Sequence, residues 1–338
     1  MLITQEIGSF RKPEYLSRVF HKIYGTDEFY RLAEKATLET LDVFYNAGLE
    51  NIGVGGEMFR WEMYEHQAIN IDGIEFYGPV RSFDNRYYRK GSIVKRMERK
   101  SSYHLKELEF LMDNARGSIK VPVTGAYTMM DWSFNEFYRD RYDVAMEFAR
   151  LLNDEIKDLK SAWDRKFPGK KLEIQIDEPA TTTHPDEMDI VKDSINKTVY
   201  GIDNCEFSIH VCYSSDYRLL YDIMDEINID GYNLEFANRD TLEPGTSDEN
   251  RPGYLDLKYF AEHSSGKKFM GLGVTDVHID YVEPVKLIED RIRFALKYID
   301  PEKLRLNPDC GLRTRSREIG FQKLSNMVAA KKNILKEL

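Results

Sequence analysis

Short apolar runs recur along the chain, and each tends to end in Gly, Asp, Asn or Ser. Eight of them read as strands: residues 3–7, 50–54, 120–124, 172–176, 207–211, 232–236, 269–273 and 304–306. Between them the apolar positions recur at helical spacing, over residues 26–47, 94–115, 137–163, 185–200, 216–227, 256–264, 284–298 and 316–336. A strand followed by a helix, repeated eight times, predicts an α/β fold with parallel strands, closed as a single (β/α)8 TIM barrel over residues 1–338. An open doubly wound sheet usually has fewer repeats and a Gly-rich phosphate turn after its first strand. The first run here ends in the tetrapeptide IGSF, which is no such turn.

One excursion interrupts the alternation. Residues 55–91 lie between the second expected strand and its helix, and they are rich in Tyr, Phe and Arg. A connection this long is usually functional, often a lid. No Pro-rich or Ser-rich linker, internal repeat or low-complexity tract divides the chain, so one domain is expected.

Composition narrows the functional classes. With 42% hydrophobic residues the 338-residue chain can build a sizeable core. Mean hydropathy is -0.54. No run of about 18 apolar residues is present, so no membrane partner is expected. The N-terminal residues lack the apolar segment of a signal peptide, which predicts a cytoplasmic protein. A net charge of -10 argues against non-specific nucleic-acid binding. Three cysteines, Cys205, Cys212 and Cys310, are too few for a disulfide framework.

Candidate chemistry collects at the strand ends. His210 and Cys212 are two apart on an expected strand and therefore face the same way. Both side chains suit zinc, although such a pair alone reads more readily as buried core. Glu235 sits between apolar residues near the end of the next strand, where a carboxylate is costly unless paired or bound to metal. Cys310 follows the last strand in a turn marked by Pro308, Asp309 and Gly311. In a barrel these ends converge on the face that carries the active site. The convergence of His210, Cys212, Glu235 and Cys310 predicts a Zn2+ site. Three anionic donors would leave the site negatively charged, favouring a nucleophilic thiolate over hydrolysis, and Glu235 is the donor that a substrate thiol could displace.

The motifs GEMFRWEM, PVTGAYTMMDWSF, IQIDEPA, IHVCYS, GVTDVH and NPDCGLRTR, together with IGSF, occur in order along the whole chain. In this the chain resembles the catalytic half of cobalamin-independent methionine synthase. The resemblance implies a zinc-dependent methyltransferase that forms methionine from homocysteine. It places the zinc ligands on His210, Cys212, Glu235 and Cys310. Homocysteine contacts fall on Ile7, Gly8, Ser9, Glu57 and Asp177. Trp132 would pack on the pterin ring of the donor, and His278, with Asp276, would supply the proton to the leaving group. These assignments suit a zwitterionic amino acid, whose ammonium needs carboxylates and whose carboxylate needs backbone N–H groups. A leaving amine also needs a proton, which His supplies near neutral pH.

Departures from the family pattern leave the donor open. The full-length enzyme of the family has a further N-terminal barrel that this chain lacks. An acidic folate contact is replaced around Thr183, and residues 55–91 differ from the family's folate loop. The methyl donor is then a methylfolate, another methylpterin or a methylated corrinoid. A separate chain, either resembling the missing half or carrying a corrinoid, could complete the system. Two rival readings stand beside this one. A related zinc enzyme could alkylate another thiol such as coenzyme M, although such relatives tend to lack the Glu ligand. A non-catalytic methyl carrier would give Glu57, Asp177 and His278 no reason to accompany the ligands.

Overall fold

The computed structural model describes residues 2–81, 87–214 and 216–338. In chain order its strands are β1 (Ile3–Thr4), β2 (Ile71–Arg81), β3 (Tyr87–Arg99), β4 (Lys120–Thr124), β5 (Phe134–Asn135), β6 (Leu172–Asp177), β7 (Cys205–Val211), β8 (Gly231–Leu234), β9 (Phe269–Thr275) and β10 (Leu304–Pro308). Seven of these form one parallel sheet in the order β1-β10-β9-β8-β7-β6-β4. The sheet curls until its edges meet across one residue, Asn51, which bridges Gln5 beyond β1 and Ser118 before β4. An eighth strand was expected at 50–54, and a bridging segment stands there instead. Gly53, Gly55 and Gly56 all adopt positive φ, so the backbone turns away after Asn51 and the ladder stops. The barrel nevertheless closes at the eighth position, as the (β/α)8 expectation requires.

The barrel strands are almost wholly buried, and every residue of β9 is. This is the burial expected of parallel strands covered by helices. Long amphipathic helices, Asp27–Ala47, Arg141–Lys166, Val285–Ala295 and Arg317–Ile334, supply that cover. The first begins at Thr26, whose side chain accepts from Phe29 N–H, and ends at Gly48 with φ 87°. Arg141–Lys166 begins at the Asp140 cap, four residues later than its apolar periodicity suggests. The helix expected over 216–227 is broken into Arg218–Asp222 and a single turn at Met224–Glu226.

The helix expected over 94–115 is corrected at its start. Residues 94–99 belong to β3, and helix begins only at Leu105. β3 pairs antiparallel with β2, with Ile74 opposite Ile93, and short β5 joins its other side. The excursion after residue 55 is therefore a short helix, Met63–Ala68, and a hairpin that continues to Arg99. Residues 82–86 of the expected 55–91 insertion lie outside the described residues. No helix among the described residues is long and apolar enough to cross a membrane.

Candidate active site

One cavity opens at the C-terminal ends of the barrel strands. Its lining includes Ile7, Gly8 and Ser9 after β1, Glu57 after the Asn51 bridge, Trp132 after β4 and Asp177 at the end of β6. His210, Cys212, His278 and Cys310 line the same cavity. The register explains the convergence: His210 of β7 stands beside Asp177 of β6 and Asn233 of β8, so the three strands end level.

At the floor, donor atoms of His210, Cys212 and Cys310 all lie within 4.8 Å of one another. His210 Nδ1 is 2.9 Å from the Asn233 carbonyl oxygen. A carbonyl only accepts, so Nδ1 carries the proton and Nε2 keeps its lone pair. Nε2 is buried and has no hydrogen-bond partner among the described residues. A buried, unpartnered lone pair beside two sulfurs is what a metal ion would satisfy. These three side chains can hold a metal ion. The two thiols already share one proton unequally. A hydrogen bond from Cys212 prevails over burial and holds Cys310 well below the usual thiol range. The same contact, together with burial, pushes Cys212 well above it.

Glu235 stands just outside this trio. It is fully buried immediately after β8. One oxygen lies 3.2 Å from His278 Nε2. The other accepts from Tyr213 N–H at 2.6 Å and from Asn238 Nδ2 at 2.9 Å. Burial raises the Glu235 pKa despite these donors. Burial alone would lower His278, but its hydrogen bond to Glu235 and that group's charge prevail, bringing it up to about 9. Asp276 does not line the cavity. Its Oδ1 accepts from His278 N–H at 2.7 Å and so shapes the turn that presents the imidazole.

The other predicted residues take distinct positions. Glu57 adopts φ 59°, a left-handed conformation rare outside glycine, and its carbonyl accepts from Lys12 Nζ at 2.8 Å. A Cβ on Gly8 would come within 3.3 Å of Glu57 Oε1, so the carboxylate lies directly against the loop after β1. Gly311 packs as tightly against Ser9, where a Cβ would lie 2.7 Å from the backbone nitrogen. Asp177 accepts from Gln175 Nε2 at 2.8 Å, and burial pushes its carboxyl up to about 7. Glu178 turns the other way and caps the helix Ala126–Asp131 through Tyr127 N–H and Thr128 N–H. Trp132 ends that helix and packs against Tyr88, with ring centroids 5.6 Å apart.

Several cavity residues carried no sequence expectation. Trp61, Glu62, Tyr88, Tyr213 and Arg313 all line it. Trp61 and Glu62 lie in the GEMFRWEM motif and Arg313 in NPDCGLRTR, so position within the motifs was the available signal. Asp309 was read only as a turn marker. Its carboxylate in fact accepts three consecutive backbone N–H groups, from Phe236 and Ala237 at 3.0 Å and Asn238 at 2.7 Å. It thereby ties the segment after Glu235 to the residue before Cys310.

A closed parallel barrel whose strand ends bring an imidazole and two thiols together at a cavity floor defines a barrel enzyme with a metal-competent centre. The chain belongs to the family described as cobalamin-independent synthase, catalytic domain, whose model matches residues 2–333. It is 65% identical to a methionine synthase of Thermoplasma acidophilum and 64% identical to one of Thermoplasma volcanium; each match covers 100% of this chain and 99% of the relative. Its fold matches that of a B12-independent methionine synthase from Shewanella sp. W3-18-1 in complex with selenomethionine. The TM-score there is 0.82 at 24% identity, covering 100% of this chain and 98% of the other. The chain is a methyltransferase of this family.

Proposed function

We propose that the chain transfers a methyl group from a methylpterin-type donor to the thiol of homocysteine, giving methionine, with zinc at the three-donor centre. The observation that carries this reading is the unpartnered His210 Nε2 beside Cys212 and Cys310, in a cavity also lined by Glu57, Asp177 and His278. The Thermoplasma relatives are methionine synthases, which supports the same substrate. His210, Cys212 and Cys310 would hold the zinc ion, which would supply Lewis acidity for keeping a substrate thiol deprotonated. Glu235 is the fourth donor in this reading. Its carboxylate already rests on His278 and two N–H donors, so it would be the least firmly committed of the four donors.

The chain's own residues do the remaining work. Glu57 and Asp177 bind the substrate ammonium, while the Ile7–Gly8–Ser9 backbone and the Ser9 hydroxyl receive its carboxylate. Trp132, set against Tyr88, offers an aromatic surface to the flat donor. His278, oriented by Asp276 and held protonated by Glu235, delivers a proton to the leaving nitrogen. Sulfur and methyl carbon meet in line because both ligands are fixed in one cavity, and this positioning accounts for much of the rate. All three cysteines are free, which agrees with work in the cytoplasm.

The test pairs zinc content with methionine formation from homocysteine, offering methyltetrahydrofolate and methylcobalamin in parallel. About one zinc per chain with methionine from the folate donor supports the full reading. Product from methylcobalamin alone would replace the donor, and product only after adding a partner protein would assign the donor to that partner. Metal-free protein, purified without chelator, would remove the foundation of the proposal.

A further inference from the structure

Behind His278 lies a cluster of buried charges that the proposed chemistry does not use. The side chains of Glu283, Arg291 and Lys323 are all 0% exposed. Lys323 projects from the helix Arg317–Ile334, and Arg291 from the helix Val285–Ala295. Glu283 Oε2 receives Lys323 Nζ at 2.8 Å, and Arg291 Nη1 stands 3.6 Å from Glu283 Oε1. That same Oε1 accepts from Asp276 N–H at 2.6 Å. Lys323 Nζ also donates to the Tyr281 carbonyl oxygen, and Arg291 Nη1 to the Val274 carbonyl oxygen at 2.9 Å.

These contacts close a loop. Residues 276–283 leave β9, expose Ile279 and Tyr281 at the surface, and return to Glu283. One carboxylate grips the first backbone N–H of the loop from its last residue. The lysine that neutralises this carboxylate holds a carbonyl from the loop's far limb. Asp276, pinned in this way, passes its orientation on by accepting His278 N–H. Apolar side chains would seal this space without the desolvation cost of buried ions. What the ions provide is directional restraint at both ends of the turn that carries His278.

We propose that Glu283, locked by Lys323 and Arg291, is a positioning residue that sets the 276–278 turn and so aims the His278 imidazole into the cavity. The inference rests on the reading that His278 acts on the substrate. Glu283 touches neither substrate nor metal donors; it acts through Asp276 and His278.

The test uses the full-length, metal-loaded protein with Glu283→Gln made in the parent and in a His278→Gln background. Gln keeps an acceptor for Asp276 N–H but loses the charge that anchors Lys323. In the parent, kcat should fall about tenfold or more, as a slightly misplaced catalytic group implies. KM for homocysteine and metal content should stay within about twofold. In the His278→Gln background the same change should have almost no further effect on kcat, since both act through one imidazole. If the lone change leaves Lys323 too poorly compensated to fold, Glu283→Gln/Lys323→Met removes both charges together and is compared in the same way. Equal losses in both backgrounds, or loss of metal together with kcat, would overturn the proposal. A His278→Gln protein as fast as the parent would instead sink the catalytic role of His278. The His278 ring resonance, identified by its absence in His278→Gln, then judges the clamp separately. It should move in Glu283→Gln, and an unmoved resonance would reject Glu283 as a positioning residue.

Discussion

Glu235 Oε1 lies 3.2 Å from His278 Nε2, so a residue proposed to hold metal and one proposed to give up a proton are direct partners. The pairing brings His278 up to about 9 from an ordinary 6.5, against the opposing pull of burial. A raised folded-state pKa contributes stability that is fully present below 6.5 and lost as pH rises through about 9. In metal-free protein, His278→Gln should therefore flatten the fall in stability between these values. Denaturant melts at several pH values would show this, and an unchanged slope would mean that the pair does not titrate as described. Partial exposure of the imidazole, 28% of its side chain, keeps the effect modest.

The carboxyl of Asp177, raised by burial to about 7, must be ionised to hold an ammonium group. KM for homocysteine should rise as pH falls below about 7. Asp177→Asn should raise it about tenfold or more at higher pH, the scale of a lost charged hydrogen bond, and should flatten that dependence. Steady-state kinetics across the acid range would decide the point; a variant with parental KM would release Asp177 from substrate binding.

Asp309 grips three successive N–H groups with two oxygens. In Asp309→Asn the new amide nitrogen cannot accept, and one of those N–H groups loses its partner. The segment after Glu235 should loosen along with the backbone leading to Cys310. Zinc affinity is expected to fall about tenfold to a hundredfold, the usual cost of losing an outer supporting bond. Competition with a chelator of known affinity measures this directly, and parental affinity would contradict it.

Cys212→Ser and Cys310→Ser each remove one of the three converging donors. Each variant should purify with far less than one zinc per chain and show no detectable turnover. Chelator should lower the melting temperature of the parent protein more than that of either variant, because metal binding stabilises only a fold that can hold it. Full zinc content in either variant would remove that cysteine from the site.

Trp132→Ala should raise KM for the methyl donor several-fold, the scale of a lost aromatic contact, while KM for homocysteine stays as it was. Trp132→Phe should recover part of the loss. An equal rise for both substrates would instead point to collapse of the Tyr88–Trp132 wall.

The barrel and its three converging donors were legible from local pattern, whereas Glu57, Asp177, Trp132 and His278 were singled out by the family resemblance. Strand ends converge in any closed parallel barrel, so His210, Cys212 and Cys310 could be brought together by position alone. The β3 strand was hidden by its own spacing. Ile93 and Met97, both fully buried, stand four apart and read as one helix face, whereas pairing with β2 is a non-local fact. The strand at 50–54 was shortened by glycines whose positive φ no hydrophobic pattern reveals. Two partners of Glu235 were equally out of reach: Tyr213 and His278 come from separate segments, and only Asn238 belongs to the LEFAN run itself. Asp309 looked like an ordinary turn acid, because its work is done on backbone N–H groups distant in sequence.

β10 pairs with β9 on one side and β1 on the other, which makes the last strand synthesised the stave that joins the two ends of the chain's sheet. Cys310 follows it after a single intervening residue. Without β10 in place, His210 and Cys212 lack the second sulfur of the trio. Closing the sheet and completing the three-donor cluster are therefore a single structural event.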